Sequence, residues 1–302
     1  MTESGIFLIN KPVGITSHDV VYKIKKKFNV KKIGHAGTLD PLATGVMVVL
    51  VNQATKISNF LLSSDKTYVV EMQLFTETDS GDKTGIVVKS EPFVKLKKQL
   101  VKSVVAKYNG YIYEQYPPIY SAVKVEGKKL YEYARSGQDV EIKPRTVTIN
   151  QCNLLKFNAK TGIVKLKIAC SKGTYIRSLV KDIATDLETI ATVISLERTA
   201  SGSFDLKETK SIEKIQTSDL ISMYDGLLKN GQTLIEYHKT IDIIQGKAIT
   251  LPKQNVPYVF VIDSHKAVLA IYKWVAHNLY NCQRGLWDPE ILEKLSEAER
   301  DF

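Results

Sequence analysis

The stretch KKIGHAGTLDPLATGVMVVL, residues 31–50, constrains this chain most, because a loop with two glycines runs directly into an apolar segment. The segment GVMVVLV is short, continuous and rich in β-branched residues, a pattern that predicts a fully buried strand. Between the loop and this strand stands Asp40, the only carboxylate between Asp19 and Asp65. A buried strand is a rigid mount for a reactive side chain, so the position of this aspartate needs an explanation.

Two interpretations of Asp40 are open. An aspartate before a proline commonly initiates a turn, which would make it structural. Against this default, the preceding loop is mostly small residues, so a ligand's backbone could approach closely. A buried carboxylate that stays ionised needs a cation nearby. Arg177, after the turn in CSKGTYIR, is the best candidate, although it could equally pair with Asp182 or Asp186 on its own predicted helix.

Charge is distributed unevenly along the chain. The net charge is +10 over 302 residues. Residues 1–204 carry 30 Lys and Arg against 18 Asp and Glu, whereas residues 205–302 carry 12 against 14. We therefore expect a polyanionic partner on the first two-thirds of the chain. A lysine-rich, merely solubilising surface is the alternative, because only four of the first 30 basic residues are arginine.

Composition and motifs narrow the class of protein. Hydrophobic content of 44% and charged content of 25% are typical of a globular protein with a sizeable core. The longest strongly apolar run, residues 46–51, is too short for a membrane helix, and the N-terminus does not resemble a signal peptide, so we expect a soluble, cytoplasmic protein. Cys152, Cys170 and Cys282 are too far apart to predict a disulfide framework or a zinc site. Dinucleotide, P-loop and zinc-deaminase motifs are missing, so we expect no cofactor and no metal.

Periodicity predicts the elements that carry further candidate residues. KTYVVEMQLF alternates as a strand that places Tyr68 on one face, and IVKLKIAC, residues 163–170, is a second strand followed by a helix from about Tyr175. Ser17 is the expected N-cap of a helix that ends in lysines. Residues 91–109 predict a basic amphipathic helix. The segments VPYVFVID and AVLAIYKWV predict two strands near the C-terminus.

Tyrosines are interspersed with lysines in residues 111–145, which include Lys124, Lys128 and Lys129. Aromatic faces beside cations suit single-stranded or looped nucleic acid. We expect the basic part of this segment, residues 116–145, to grip phosphates and to make RNA affinity depend on salt.

Five blocks of the chain, in order, resemble the bacterial tRNA pseudouridine synthase B (TruB) family. They are NKPVGITSHDVVYKIKKKF, KKIGHAGTLDPLATGVMVVL, KTYVVEMQLFTETDSGD, YPPIYSAVKVEGKKLYEYARSG, and CSKGTYIRSLVKDIA followed by LERTASGSF. The resemblance is close over residues 5–204 and looser beyond. It implies an α+β pseudouridine-synthase fold: a curved, mixed, largely antiparallel sheet flanked by helices, with a small, mainly β, PUA-like C-terminal domain. The expected domains are residues 1–204, which are catalytic, and residues 205–302, which are PUA-like.

The resemblance implies an activity and a set of catalytic residues. The family isomerises uridine 55 in the T-loop of tRNA to pseudouridine. Asp40 matches its catalytic aspartate, a nucleophile or base that acts on the flipped nucleoside. Tyr68 matches the tyrosine that stacks on the target base and is a candidate to move a proton. Arg177 matches the arginine that pairs with the aspartate.

The resemblance also implies residues that bind the substrate. Leu196 matches an apolar residue against the base, and His35 matches the histidine that inserts into the T-loop stack. The full expected set adds Lys11 and Pro12, which support the aspartate loop, and three phosphate-binding lysines: Lys124, Lys128 and Lys129. The expected partner is the tRNA T stem-loop, with no membrane, no obligatory protein partner and a monomeric enzyme.

Some positions depart from the family pattern. Ala184, Thr185 and Glu188 stand where the family usually has glycines, and Glu197 replaces a cation in the usual Leu-Arg-Arg-Thr. His265 occupies a position where a turn glycine is typical.

Two other functions are considered besides the stand-alone enzyme. One is the related guide-RNA-dependent pseudouridine synthase, which works inside a multi-protein particle. The other is a non-catalytic tRNA-folding chaperone that uses the same surface. The long insertion at residues 84–115 and the small tail favour the stand-alone type, and the intact Asp40, Tyr68 and Arg177 favour catalysis.

Overall fold

Alternating and β-branched segments form most of the strands of this chain, whose computed structural model describes residues 1–62 and 64–287. In chain order the strands are β1 (Gly5–Lys11), β2 (Ile33–His35), β3 (Thr44–Val51), β4 (Lys66–Leu74), β5 (Thr76–Thr78), β6 (Val87–Ser90), β7 (Tyr111–Gln115), β8 (Lys124–Val125), β9 (Lys128–Lys129), β10 (Arg145–Asn158), β11 (Ile163–Cys170), β12 (Ala191–Ser201), β13 (Phe204–Asp205), β14 (Ile221–Ser222), β15 (Leu234–Glu236), β16 (Ile249–Thr250), β17 (Tyr258–Ile262), β18 (Val268–Ala276) and β19 (Leu279–Gly285).

The α-helices of the described residues are α1 (Ser17–Phe28), α2 (Ser58–Leu62), α3 (Lys98–Lys107), α4 (Leu130–Ser136), α5 (Ile176–Asp186), α6 (Met223–Lys229) and α7 (Thr240–Ile244). Short 3-10 turns occupy Asn52–Ile57, Leu206–Glu208 and Thr217–Asp219. Within the described range, no helix is both long enough and apolar enough to cross a membrane.

The larger sheet has ten strands, and its main path runs β14-β1-β3-β12-β4-β11-β10-β7, with β13 beside β12 and β2 beside β3. Every pairing in this sheet is antiparallel except the short parallel contact between β3 and β12. The predicted α+β class and the mixed, largely antiparallel, curled sheet are therefore confirmed.

The β3–β12–β4 junction positions the candidate site. Gly45 of β3 lies opposite Arg198 of β12, and Arg198 in turn lies opposite Tyr68 of β4. Gly45 has φ +101°, and a side chain there would collide with the backbone of Arg198. The glycine therefore lets the two strands approach where the Asp40 loop enters the sheet.

Three hydrophobic clusters hold the elements around this junction. Helices α3 and α5 pack against β4, β11 and β12 in the first cluster. Helix α1 covers the opposite part of the sheet through Val20 and Ile24, which pack with Phe7 and Val49 in the second. In the third, Ile6 of β1 packs with residues of α2, α6 and the smaller sheet. Burial of apolar side chains on both faces makes the ten-stranded sheet a rigid platform.

The smaller sheet has five strands in the order β15-β17-β18-β19-β16. The predicted strands VPYVFVID and AVLAIYKWV are found as β17 and β18. Residues between β13 and β15 still pack on the first sheet, because β14 pairs with β1 and Leu227 of α6 is buried beside Ile6. The division at residue 204 stays a prediction, and its last part, residues 288–302, lies outside the described residues.

Two predicted elements differ from the structure. The N-cap of α1 is Thr16, not Ser17: Thr16 and Asp19 form a reciprocal capping box, which satisfies free N–H groups of the first turn. The helix predicted for residues 91–109 was too long, because α3 spans only Lys98–Lys107. Residues 91–97 have no regular secondary structure and are mostly exposed, and Pro92 lacks a backbone N–H. Only the part of the segment that buries Val101 and Val104 is helical.

Candidate active site

The loop that carries Asp40 is held in place by hydrogen bonds from buried polar side chains. Lys11 at the end of β1 is fully buried, and its Nζ donates hydrogen bonds to the carbonyl oxygens of Pro12 (3.0 Å), Pro41 (3.2 Å) and Ala43 (2.7 Å). Desolvation lowers the pKa of Lys11 to about 8, although the Asp40 carboxylate opposes this effect. Lys11 therefore holds the Asp40 loop through its carbonyl groups, while the side chain of Pro12 is exposed beside the loop.

Helix α1 fastens the loop at a second point. The Ser17 hydroxyl donates to the carbonyl of Leu39 at 3.0 Å, and the Leu39 N–H donates to the same hydroxyl at 2.8 Å. Because Leu39 precedes Asp40 and is itself buried, this pair of contacts sets the backbone direction at the aspartate.

Arg198 of β12 holds the two flanks of the loop. Its side chain is only 1% exposed, and Nε donates to the carbonyl of Val46 at 2.7 Å. Nη2 donates to Gly37 at 3.1 Å and Nη1 to Thr38 at 3.4 Å. In the sequence, Arg198 stands out only as the arginine of LERT, where the family usually has Leu-Arg-Arg-Thr. A signal was present, because alternation along LERTA places this arginine on the same buried face as Leu196.

Arg177 of α5 pairs with Asp40 across 137 positions of sequence. Nε lies 2.9 Å from Asp40 Oδ2, and Nη2 donates to Oδ1 at 3.1 Å, so the contact is bidentate. Nη1 donates to the carbonyl of Ser80 at 2.8 Å, and Nη2 also donates to that of Tyr120 at 2.9 Å. The structure thus selects the pairing with Asp40 over the alternative partners within α5.

Burial and charge oppose each other at Asp40. Burial raises the pKa of the Asp40 carboxyl above its usual value, and the nearby Asp82 adds to this effect. The guanidinium of Arg177 and, more weakly, the ammonium of Lys11 favour the ionised form and lower the pKa. The bidentate guanidinium thus favours the ionised form against burial and fixes the orientation of the carboxylate, whose side chain is 33% exposed.

Asp40 opens onto a cavity of about 820 Å³. Tyr68 and Leu196 line it from adjacent strands, and both are largely buried, at 9% and 6% exposure. Burial raises the pKa of Tyr68, so its phenol is neutral at physiological pH and can donate a hydrogen bond. Together these side chains present one carboxylate, one aromatic face and one apolar face to the same space.

The other predicted substrate-binding residues lie in different places. Lys124 lines the cavity, whereas Lys128 and Lys129 lie across the turn on β9. Lys128 lies over the Tyr133 ring and Lys129 over the Tyr131 ring, at 5.4 and 5.3 Å from their centroids.

His35 lies on β2, outside the residues that line the cavity. Its Nδ1 is enclosed and has no hydrogen-bond partner among the described residues. Burial and the charge of Arg198 lower the pKa of His35, so the ring is neutral at physiological pH.

Several residues of the site were missed by sequence reasoning. Lys66, at the start of β4, lines the cavity at 7% exposure, and burial lowers its pKa to about 8. The carbonyl groups of Ser80 and Tyr120 accept hydrogen bonds from Arg177. These contacts could not be predicted from the sequence, because a backbone acceptor leaves no pattern in the side chains. Among the residues that the structure describes, no group of three or more His, Cys, Asp or Glu side chains is placed to hold a metal ion.

The chain is similar to known proteins over nearly its whole length. Residues 25–176 match the model of the family described as TruB family pseudouridylate synthase (N terminal domain). The chain is 46% identical over 285 residues to tRNA pseudouridine synthase B of Mycoplasma capricolum, covering 94% of this chain and 98% of the relative. It is 44% identical over 286 residues to the protein of the same name from Mesoplasma florum, covering 94% and 99%.

Solved structures share the fold. A Cbf5-Nop10-Gar1 complex contains a chain that superposes with a TM-score of 0.69 at 22% identity, covering 95% of this chain and 86% of that one. An H/ACA RNP bound to a substrate RNA gives the same TM-score at 20% identity. With the family match and these identities over nearly its whole length, the chain belongs to the TruB family of pseudouridylate synthases.

Proposed function

We propose that this pseudouridine synthase isomerises uridine 55 in the T-loop of tRNAs, with the target base flipped into the cavity beside Asp40. The observation that carries the proposal is the bidentate pair of Arg177 and Asp40 on the wall of a cavity that Tyr68 and Leu196 also line. The relatives that match nearly the whole chain are tRNA pseudouridine synthases by name, which supports tRNA as the substrate.

The chemistry is an intramolecular exchange of one glycosidic bond for another. The bond between N1 and C1′ breaks, the uracil turns within the cavity, and C5 bonds to C1′. The C5 proton is then lost and N1 gains one, so the change is redox-neutral. Asp40 serves either as the nucleophile at C1′ or as the base that removes a proton from C2′. In both routes it must be ionised, which is the role of Arg177.

The remaining residues bind and hold the base. Tyr68 stacks on the uracil and Leu196 closes its other side, which offsets the few kcal/mol of unstacking that base flipping costs. The neutral ring of His35 inserts into the stack that the base has left. Lys124, Lys128 and Lys129 bind phosphates with long-range help from the positive charge of residues 1–204.

In this proposal the enzyme is a cytoplasmic monomer that acts without an obligatory protein partner. The five-stranded sheet is a PUA-like module that extends the contact with RNA. The guide-RNA-dependent alternative differs in its requirements, because that enzyme works inside a particle. The match of whole-length tRNA pseudouridine synthase relatives at up to 46% identity favours the stand-alone type.

The test uses the purified chain and an unmodified tRNA transcript, with pseudouridine mapped by chemical labelling and primer extension. We expect a single stop in the T-loop with wild type and none with Asp40→Asn, whose carboxamide keeps the shape of the carboxyl but cannot act as a nucleophile or base. Asp219→Asn, at a surface ion pair with Lys210, is the matched control and should leave the stop unchanged.

The binding of the same transcript separates the alternatives. Tight binding with no stop for wild type would reject the stand-alone enzyme and favour the chaperone or a guide-dependent enzyme. A stop that survives in Asp40→Asn would remove the aspartate from the chemistry. A stop at another position would contradict the T-loop assignment alone.

A further inference from the structure

The active-site cavity contains a buried hydroxyl that the proposed chemistry does not use. Ser121 lines this cavity and is only 6% exposed. Its Oγ is enclosed and makes no hydrogen bond within the described part of the chain. Buried polar groups in folded proteins nearly always have a partner, so an enclosed and unpaired hydroxyl requires an explanation.

Three other hydroxyls of the same cavity, those of Ser171, Thr174 and Thr146, are paired. Ser171 accepts the N–H of Thr148 at 2.9 Å, and Thr174 donates to the carbonyl of Ser171 at 2.9 Å. Thr146 donates to the carboxylate of Glu114. Ser121 differs from these three hydroxyls in having no hydrogen bond within the described residues.

The neighbouring phenol does not satisfy Ser121. Burial raises the pKa of Tyr175, whereas the charge of Arg145 and a polar contact with Ser121 lower it. This contact does not meet the geometry of a hydrogen bond. The hydroxyl thus retains its capacity to bond to a molecule that enters the cavity.

The position of Ser121 relative to Asp40 indicates which part of a nucleotide it would meet. The preceding carbonyl, that of Tyr120, accepts a hydrogen bond from Nη2 of Arg177 at 2.9 Å. The same nitrogen donates to Asp40 at 3.1 Å. Since Asp40 must reach C1′ or C2′ of the target, the ribose has to lie on this side of the cavity.

The chemistry of the two cavity walls agrees with this placement. Tyr68 and Leu196, on adjacent strands, supply the aromatic and apolar faces that suit a base. Lys124 and Arg145 also line the cavity, and cations there suit a phosphate. Ser121, close in sequence to Lys124, belongs to the sugar–phosphate side.

We propose that Ser121 donates a hydrogen bond to a sugar–phosphate oxygen of the flipped target nucleotide, either its ribose 2′-hydroxyl or an adjacent phosphate. The inference rests on the proposed function, because it assumes that a nucleotide occupies the cavity with its ribose against Asp40. In this role Ser121 fixes the ribose while the base detaches and turns, so it contributes to positioning the substrate.

The experiment measures transcript binding for Ser121→Ala in the Asp40→Asn background, which prevents turnover. Three transcripts are compared. The first has uridine at the target position, the second has 2′-deoxyuridine there, and the third has uridine there with the adjacent phosphate replaced by a methylphosphonate. We expect Ser121→Ala to weaken binding of the uridine transcript about 2- to 12-fold, as the loss of one hydrogen bond predicts. On the transcript in which the accepting oxygen has been altered, Ser121→Ala should weaken binding no further. The transcript that shows this result identifies the oxygen that accepts the hydrogen bond.

Two more variants separate hydrogen bonding from packing. Ser121→Cys keeps the volume of the side chain but replaces the hydroxyl with a weak donor, so it should bind as poorly as Ser121→Ala. Ser103→Ala, at an exposed serine of α3, should bind as the parent does. Melting curves of all variants check that the fold is intact.

Three results would overturn the proposal: unchanged binding by Ser121→Ala, recovery by Ser121→Cys, or an equal loss on all three transcripts. Mapping of the pseudouridine that the wild-type enzyme makes tests the proposed function separately, because this measurement does not involve the Ser121 variants. A wild-type enzyme that modifies the T-loop together with an unaffected Ser121→Ala variant would refute this inference alone.

Discussion

At the scale of single residues, the site couples a cation held by four polar contacts to a partly exposed carboxylate. The side chain of Arg177 is 5% exposed, and its nitrogens donate to Asp40 and to the carbonyl groups of Ser80 and Tyr120. Asp40 keeps 33% exposure toward the cavity. The guanidinium is thus immobilised by the backbone, whereas the carboxylate remains accessible to a substrate.

Replacement of this cation should change the pH dependence of the enzyme. Arg177 lowers the pKa of Asp40 against the effect of burial, so Arg177→Lys, which cannot form the bidentate contact, should raise that pKa. In the proposed mechanism Asp40 reacts in its ionised form, so the acidic limb of the rate profile should move to higher pH. At pH 7 we expect a loss of about 10- to 100-fold, as for a hydrogen bond to a charged group.

Single-turnover rates from pH 5 to 9 would measure this shift. Arg284→Lys, at an exposed arginine of β19, is the matched control and should reproduce the wild-type profile. An acidic limb that stays in place, or moves to lower pH, in Arg177→Lys would contradict the assigned role of the pair.

At the scale of elements, one glutamine joins β7 to the start of α5. Gln115 is 2% exposed, its Oε1 accepts the N–H of Tyr175 at 2.7 Å, and its Nε2 donates to the Tyr175 carbonyl at 3.1 Å. Nε2 also donates to the Tyr113 hydroxyl, which donates to Asp182 of α5 at 2.8 Å. The peptide held in this way is two residues before Arg177, so the contact orients the arginine through its helix.

Gln115→Ala should therefore slow the reaction more than it weakens tRNA binding. Loss of the three hydrogen bonds of the Gln115 side chain, at about 0.5–1.5 kcal/mol each, should lower the free energy of unfolding by about 1.5–4.5 kcal/mol. We expect kcat to fall about tenfold as Arg177 loses its alignment, since each 1.36 kcal/mol of barrier is tenfold in rate, while the transcript Kd changes less than about twofold.

Steady-state kinetics well below the melting temperature would separate the two effects. Gln115→Glu keeps the acceptor for Tyr175 but loses the donor, and should give an intermediate kcat. Gln283→Ala, at an exposed position of β19, should be neutral. An unchanged kcat in Gln115→Ala would confine Gln115 to a structural role.

At the scale of the whole molecule, charge is divided between two parts. Residues 1–204 carry an excess of 12 positive charges and residues 205–302 an excess of two negative ones. Lys124, Lys128 and Lys129 extend the positive part on a short hairpin beside the cavity. RNA should therefore bind mainly to the first part, by displacing counterions from its phosphates.

The salt dependence of binding tests this distribution. Changing Lys124, Lys128 and Lys129 together to alanine should weaken binding and reduce the slope of log K against log salt by about 2, since each phosphate contact to a single strand contributes about 0.7. The matched control changes three exposed lysines of the second part, Lys239, Lys253 and Lys273, and should alter the slope much less. Equal changes in both triple variants would contradict the predicted division.

Local patterns in the sequence predicted much of the platform. Alternation identified β4 with Tyr68 on its buried face, and β-branched continuity identified β3 after the Asp40 loop. The family resemblance named Asp40 and Arg177 before their contact was known. Where the cue was purely local and weak, as at the N-cap of α1 and in residues 91–97, the prediction was wrong by one to several residues.

The sequence alone is enough for strands, turns and the family, because periodicity and motif spacing are properties of neighbouring residues. The tertiary structure was needed to choose the partner of Arg177, which lies 137 positions from Asp40 and competes with nearer carboxylates. It also revealed that Lys11 and Arg198 bind carbonyl groups of the Asp40 loop, and that the Ser121 hydroxyl has no hydrogen-bond partner among the described residues. These facts depend on long-range packing, in which burial removes water and leaves each polar group only the partners that the fold brings to it.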